Sequence, residues 1–178
     1  MTRTDLIGRT ADACQKYCPS LAMILCIDRS GSMAGQKMEA AKTAACNSTK
    51  LLGNTDLVGI VAFDHECETI LQQVPDRSDI FSAISSLYAR GGTDIMQALE
   101  QSFACLSGTN TQSKHVILLS DGQSGIFEIP ELVKTMAANG ITVSTVGIGE
   151  DVNKHLLATI AELGKGRCYH TNAAGDIP

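Results

Sequence analysis

The sequence lacks any long apolar run. Its longest apolar stretch, residues 21–27, is far shorter than the roughly 20 residues that a membrane-spanning helix needs. The first residues also lack the basic and then apolar order of a secretory signal. We therefore expect no direct membrane insertion by this chain.

A block of basic residues is also missing. The net charge is −5, and lysine and arginine are interspersed with aspartate and glutamate along the chain. A nucleic-acid-binding domain usually shows a clustered basic surface. We expect no nucleic-acid partner.

The seven cysteines include no C-x-x-C pair, and their number is odd. Most fall in predicted strands and helices, where cysteine behaves as a small buried apolar residue. This pattern favours free thiols in a reducing compartment such as the cytoplasm over a disulfide or metal role. A soluble domain of a membrane-anchored protein remains the other interpretation. The cysteines are Cys14, Cys18, Cys26, Cys46, Cys67, Cys105 and Cys168.

The apolar pattern predicts strands that alternate with helices. Such alternation in 178 residues is typical of one α/β domain with a doubly wound, mostly parallel six-stranded sheet and helices on both faces. A short polar connection, Asp64 to Glu66, predicts a hairpin and one antiparallel edge strand. We expect this turn to be solvated, with a partner contact or a second ion as alternatives. The predicted strands are 21–27, 57–63, 67–74, 115–119, 141–146 and 167–170, and the predicted helices are 36–52, 80–87, one from Thr93, 130–139 and 153–163.

Residues 1–19 form a separate N-terminal extension in this interpretation, ahead of the domain at 20–178. Leu6, Ile7, Thr10, Cys14 and Tyr17 have helical spacing before Pro19. The helix is either a linker or packs on the domain.

Three polar loops follow predicted strands or precede a helix. They are Asp28-Arg29-Ser30-Gly31-Ser32, Gly91-Gly92-Thr93-Asp94 and Ser120-Asp121-Gly122. In parallel sheets ligands bind beyond the carboxyl ends of the strands, so we expect these loops at one edge. Asp28, Ser30, Ser32, Thr93 and Asp121 offer only oxygen ligands, which suit Mg²⁺ or Mn²⁺ better than Zn²⁺. Helix capping by Asp28 or Ser30 is the simpler alternative, although it leaves the other residues unexplained.

The D-x-S-x-S pattern at 28–32, together with Gly91-Gly92-Thr93 and Leu119-Ser120-Asp121-Gly122, resembles the von Willebrand factor A family and its metal ion-dependent adhesion site. The resemblance covers roughly residues 21–170. It implies that Ser30 and Ser32 bind the metal directly and that Thr93 binds directly or through water. Asp28 and Asp121 would act mostly through water, and Asp94 would brace the threonine loop or be an acidic first-turn residue.

The resemblance further implies a cation-dependent protein-binding module of adhesion type, found in bacterial assemblies among others, which captures an aspartate or glutamate of a partner protein. Such a module is not an enzyme and is often part of a larger multidomain protein. Two alternatives remain: a Mg²⁺-dependent enzyme of phosphate chemistry, and a structural metal domain of an ATPase-linked or membrane-anchored assembly. Against the enzyme, no G-x-x-x-x-G-K-[ST] or G-x-S-x-G motif occurs. Family members usually add a last helix, which we expect to be cut short here.

Overall fold

A computed structural model describes residues 20–74, 77–125 and 128–171. The predicted N-terminal helix and the chain after Thr171 lie outside this range. Within these residues, six strands and five α-helices follow one another in the order that the apolar pattern predicts. The elements are β1 (Leu21–Asp28), α1 (Gln36–Lys50), β2 (Leu57–Phe63), β3 (Cys67–Val74), α2 (Arg77–Ser85), α3 (Ile95–Ser107), β4 (Ser113–Ser120), α4 (Ile129–Ala138), β5 (Ile141–Ile148), α5 (Lys154–Leu163) and β6 (Lys165–Thr171).

The strands form one sheet in the order β3-β2-β1-β4-β5-β6. All neighbours are parallel except β2 and β3, which are joined by the short turn at Asp64. The predicted sheet with one antiparallel edge strand is therefore confirmed. β1 lies between β2 and β4, inside the sheet, and helices cover both of its faces. Seven of its eight residues are therefore buried, which agrees with its continuous apolar sequence.

Helices cover both faces of the sheet. On one face, α1 and α2 pack through Met38, Ala41 and Ile80 against alternate residues of the strands. On the other face, α3, α4 and α5 contribute a second buried cluster that includes Leu99 and Val133. This alternation follows from the two-residue period of a strand, which turns successive side chains to opposite faces. None of the helices described is long and apolar enough to cross a bilayer.

The carboxyl ends of β1 and β4 lie side by side at one edge of the sheet. From β1 the chain first adds β2 and β3 on one side and then β4, β5 and β6 on the other, so the strand order changes direction between β1 and β4. Asp28 ends β1 and Ser120 ends β4, and the two strands are hydrogen-bonded neighbours. Such a reversal leaves a crevice between adjacent loops. Two of the three polar loops are thereby brought side by side.

Candidate metal centre

The loop after β1 brings two serine hydroxyls together. Ser30 Oγ and Ser32 Oγ are 3.0 Å apart. Ser30 precedes a 3₁₀ turn, Gly31–Met33, but its side chain makes no capping hydrogen bond, and Gly35 rather than a serine precedes α1. Helix capping therefore does not account for these hydroxyls.

Asp28 is a fully buried carboxyl group directly below the serine pair. Its Oδ1 accepts a hydrogen bond from the Ser30 backbone N–H at 2.8 Å, and its Oδ2 accepts one from Ser120 Oγ at 2.5 Å. Burial raises the pKa of Asp28, the hydrogen bonds from Ser120 and Ser30 oppose that rise, and the negative charge of Asp121 adds to it. A positive charge beside Asp28 would therefore be stabilised.

Asp121, after β4, is the second fully buried carboxylate of the centre. Its Oδ2 is 3.0 Å from Lys37 Nζ, and its Oδ1 accepts a hydrogen bond from the Gln123 backbone N–H at 3.3 Å. Its carbonyl oxygen accepts from the Asn153 N–H at 2.9 Å, which fixes the loop against the start of α5. Neither Lys37 nor Ser120 is among the residues that the sequence predicts for the site.

The loop that carries Thr93 is held against the serine loop by its backbone. The Gly31 N–H donates to the Gly91 carbonyl at 3.0 Å, and the Arg90 N–H donates to the Arg29 carbonyl at 2.6 Å. Gly91 has a φ of +68°, and a β-carbon there would overlap the ring of His65. Only glycine permits this close approach. Thr93 itself is half-buried, two residues beyond this contact.

The helix predicted to open at Thr93 begins two residues later, at Ile95. Asp94 is its N-cap, and Asp94 Oδ1 accepts a hydrogen bond from the Gln97 N–H at 3.1 Å. Thr93 therefore stays in the loop, with its side chain outside the helix. The sequence leaves two roles open for Asp94, bracing the threonine loop or acting as an acidic residue of the first helical turn. In the structure its carboxylate caps the start of α3, one position before the first turn.

The expectation of a solvated turn holds for His65 and Glu66, which are exposed, but it is wrong for Asp64. Asp64 is fully buried, and its Oδ2 lies 2.9 Å from Arg29 Nε and 3.0 Å from Arg90 Nε. Burial raises the pKa of Asp64, but hydrogen bonds from the Glu66 N–H, Arg90 and Arg29 outweigh it and leave the pKa below its ordinary value. Arg29, which lies within the serine loop, forms ion pairs with Asp64 and with Glu68.

The centre has the chemistry of a site for a hard divalent cation. The groups there that could bind a metal are two carboxylates and several hydroxyls, all of them oxygen ligands, and the ammonium group of Lys37 pairs with one of the carboxylates. Among the residues described, no group of three or more His, Cys, Asp or Glu side chains is arranged to hold a metal. A cation at this edge would therefore depend on serine and threonine hydroxyls as well as carboxylates, and these donors fit Mg²⁺ or Mn²⁺.

A family model for the von Willebrand factor type A domain matches residues 23–176, which include all three loops. The chain belongs to this family. Von Willebrand factor type A domains are generally non-catalytic interaction modules. The predicted family and fold class are thus confirmed.

Known proteins similar to this von Willebrand factor type A domain differ widely in source. The uncharacterized protein sll0103 of Synechocystis is 34% identical over 152 residues, covering 82% of this chain and 36% of that protein. The crystal structure of BatB from Bacteroides thetaiotaomicron has a TM-score of 0.79 at 22% identity, covering 86% of this chain and 91% of that one. Proximal thread matrix protein 1 from the mussel byssus, solved with a zinc-occupied MIDAS motif, has a TM-score of 0.76 at 19% identity, covering 90% and 43%.

The curated relatives are longer than this von Willebrand factor type A chain. It spans 36% of the length of the Synechocystis protein and 30% of the length of YfbK from Escherichia coli. The matched region is therefore one part of each of those proteins.

Proposed function

We propose that this domain binds a divalent cation, Mg²⁺ or Mn²⁺, and uses it to capture an aspartate or glutamate side chain of a partner protein. The proposal rests on one observation: two serine hydroxyls 3.0 Å apart stand beside two fully buried carboxylates, Asp28 and Asp121, at the carboxyl edge of the sheet. Ser30, Ser32 and Thr93 would supply hydroxyl ligands. Asp28 and Asp121 would bind mostly through water, while Asp94 has its place at the helix start.

The choice of ligands favours an incoming anion. Neutral hydroxyls compensate the charge of a divalent cation less than carboxylates do, so a bound cation keeps affinity for a further negatively charged oxygen ligand. The zinc-occupied MIDAS motif of the mussel byssus protein supports divalent metal binding in the family. The cation would act here as a Lewis acid that binds a carboxylate, and the proposal includes no catalytic step.

Thermal unfolding in Mg²⁺, in Mn²⁺ and in EDTA tests the cation site. We expect the unfolding temperature to rise with either cation, since a ligand that binds only the folded state stabilises it. Ser30→Ala and Asp28→Ala should abolish the rise. Ser85→Ala is the matched control, because Ser85 Oγ bonds the Phe81 carbonyl on the exposed side of α2, away from the site. A wild-type domain with no cation-dependent change would refute the proposal.

Capture of a carboxylate needs a second measurement. We expect a short peptide with blocked termini and one aspartate, its sole carboxylate, to bind in Mn²⁺ but not in EDTA, and its asparagine counterpart to bind in neither. If both peptides bind equally well, the site does not recognise a carboxylate. If the cation stabilises the domain but neither peptide binds, the metal has a structural role.

A further inference from the structure

Lys37 reaches into the centre from the first turn of α1. Its Nζ is 3.0 Å from Asp121 Oδ2, and the Lys37 side chain is only 25% exposed. Asp121 itself is fully buried. Because the Lys37 side chain is largely buried and its partner carboxylate fully so, this is not one of the solvent-exposed ion pairs in which water screens most of the interaction.

The Lys37 side chain passes close to Gly149, which follows β5. A β-carbon on Gly149 would lie 2.5 Å from Cε, 3.2 Å from Cδ and 3.3 Å from Nζ of Lys37. The lysine stem therefore lies against the glycine backbone, and a β-carbon at this position would displace it from its present path. The Gly149 N–H donates to the Thr171 carbonyl at 3.0 Å, which ties this backbone to β6.

The charges of the centre are therefore two carboxylates and one ammonium group. The two carboxylates and Lys37 leave one net negative charge, and a divalent cation turns it into one net positive charge. A partner carboxylate would bring the sum to zero. Without Lys37, the two carboxylates alone would neutralise the cation and leave no net charge to attract the partner.

We infer that Lys37 sets the balance between the two ligands of the site: it weakens the binding of the divalent cation and strengthens the binding of the partner's carboxylate. This inference rests on the proposed function. The physical reason is that like charges a few ångströms apart repel and opposite charges attract, most strongly where water is excluded. A residue that only supported the fold would shift both affinities in the same direction or neither.

The test is Lys37→Met, which keeps the length of the side chain and removes its charge. In calorimetric titrations with Mn²⁺ alone, we expect the dissociation constant to fall about fivefold, the factor that corresponds to the interaction of two unit charges about 4 Å apart in water. At saturating Mn²⁺, we expect the single-aspartate peptide to bind the variant at least about fivefold more weakly than it binds the wild type.

Two variants control for the fold and for the charge. Lys37→Arg keeps the charge and should leave both affinities near those of the wild type. Lys42→Met removes a lysine of the same helix that pairs with the exposed Glu39 at 3.2 Å and not with a carboxylate of the centre, and it should change neither affinity. Circular dichroism of each variant in EDTA verifies the fold.

The outcomes separate this inference from the proposed function. If wild-type protein binds Mn²⁺ and Lys37→Met binds it equally or more weakly, the inference is wrong and the cation site stands. Unchanged or tighter binding of the peptide by Lys37→Met would also overturn the inference. If neither protein binds Mn²⁺, both proposals fail.

Discussion

Asp64 joins two loops of the site through one buried carboxylate. Its Oδ2 accepts hydrogen bonds from Arg29, in the serine loop, and from Arg90, beside the threonine loop. Its backbone carbonyl accepts from the Asp94 N–H at 2.7 Å. The turn between β2 and β3 thus determines how the two loops lie against each other, although none of its residues is a proposed ligand.

Replacing Asp64 tests this connection. Asp64→Asn keeps the size of the side chain but removes the charge that pairs with the buried Arg29, so we expect a loss of about 3 kcal/mol in the free energy of unfolding. The measurement is urea denaturation in EDTA. Glu68→Gln is the matched control, because Glu68 pairs with the same Arg29 at 3.0 Å but its side chain is 55% exposed. It should cost less than about 1 kcal/mol, and equal losses in the two variants would contradict the argument.

At the scale of elements, helix starts hold the site loops in place. α3 begins directly after the threonine loop, and Asp94 Oδ1 accepts the Gln97 N–H at its first turn. α5 begins after the Asn153 contact to Asp121, and Asn153 Oδ1 accepts the Leu156 N–H in the same way. An unsatisfied N–H at either start would loosen the loop that precedes the helix.

We predict that Asp94→Ala lowers the free energy of unfolding by about 1 kcal/mol through loss of the N-cap. Asp94→Asn should recover most of this stability, because asparagine caps helices about as well as aspartate. Asn153→Ala, at the other helix start, provides the reference for the loss of a cap. Urea denaturation measures all three.

The same variants decide the remaining role of Asp94. If Asp94 serves the helix start alone, Asp94→Asn should keep the full rise in unfolding temperature with Mn²⁺. A rise that disappears in Asp94→Asn while its stability in EDTA is retained would instead place the Asp94 charge in the metal shell.

At the scale of the whole molecule, the sheet is covered unequally by the residues described. The α1 face leaves a cavity of about 420 Å³ over β4, β5 and β6, lined in part by Ile117, Ser144 and Tyr169. His115 borders this cavity, and its Nδ1 lies 2.6 Å from Thr142 Oγ1. Burial lowers the pKa of His115 below its ordinary value of 6.5, because the protonated ring loses contact with water.

This histidine predicts how stability changes with pH. The unfolded chain takes up a proton near pH 6.5 and the folded chain only at lower pH, so the stability from neutral His115 is complete above 6.5 and is lost as the pH falls through the folded pKa. We expect the urea midpoint in EDTA to fall between pH 7.5 and pH 5.5, and the fall to be smaller in His115→Gln. His155→Gln, at an exposed position of α5, should retain the full fall. An identical fall in wild type and His115→Gln would refute the assignment.

The cysteines agree in part with the interpretation from sequence. Cys26, in the centre of β1, is fully buried, and Cys46 and Cys67 are partly buried. Cys168, by contrast, is exposed on β6. Burial is the main reason that the pKa of Cys67 is raised to about 11. Cys26 and the partly buried thiols pack among apolar residues of the fold, as expected, whereas Cys168 does not, and Cys14 and Cys18 lie outside the described residues. The compartment in which the domain works stays a prediction.

The sequence by itself determined the order of strands and helices and the three polar loops, because apolar periodicity and the glycines and polar residues at strand ends are local properties. It also predicted that Asp28 and Asp121 lie at the same edge of the sheet, since parallel strands share a carboxyl edge, whereas the pairing of β1 with β4 was decided by the tertiary structure. Only the tertiary structure decided the partners of charged side chains. Lys37 and Asp121 are 84 residues apart, and Arg29 and Asp64 are 35 apart. No local pattern encodes such pairs, because they depend on how separate loops pack against one another once the sheet has formed.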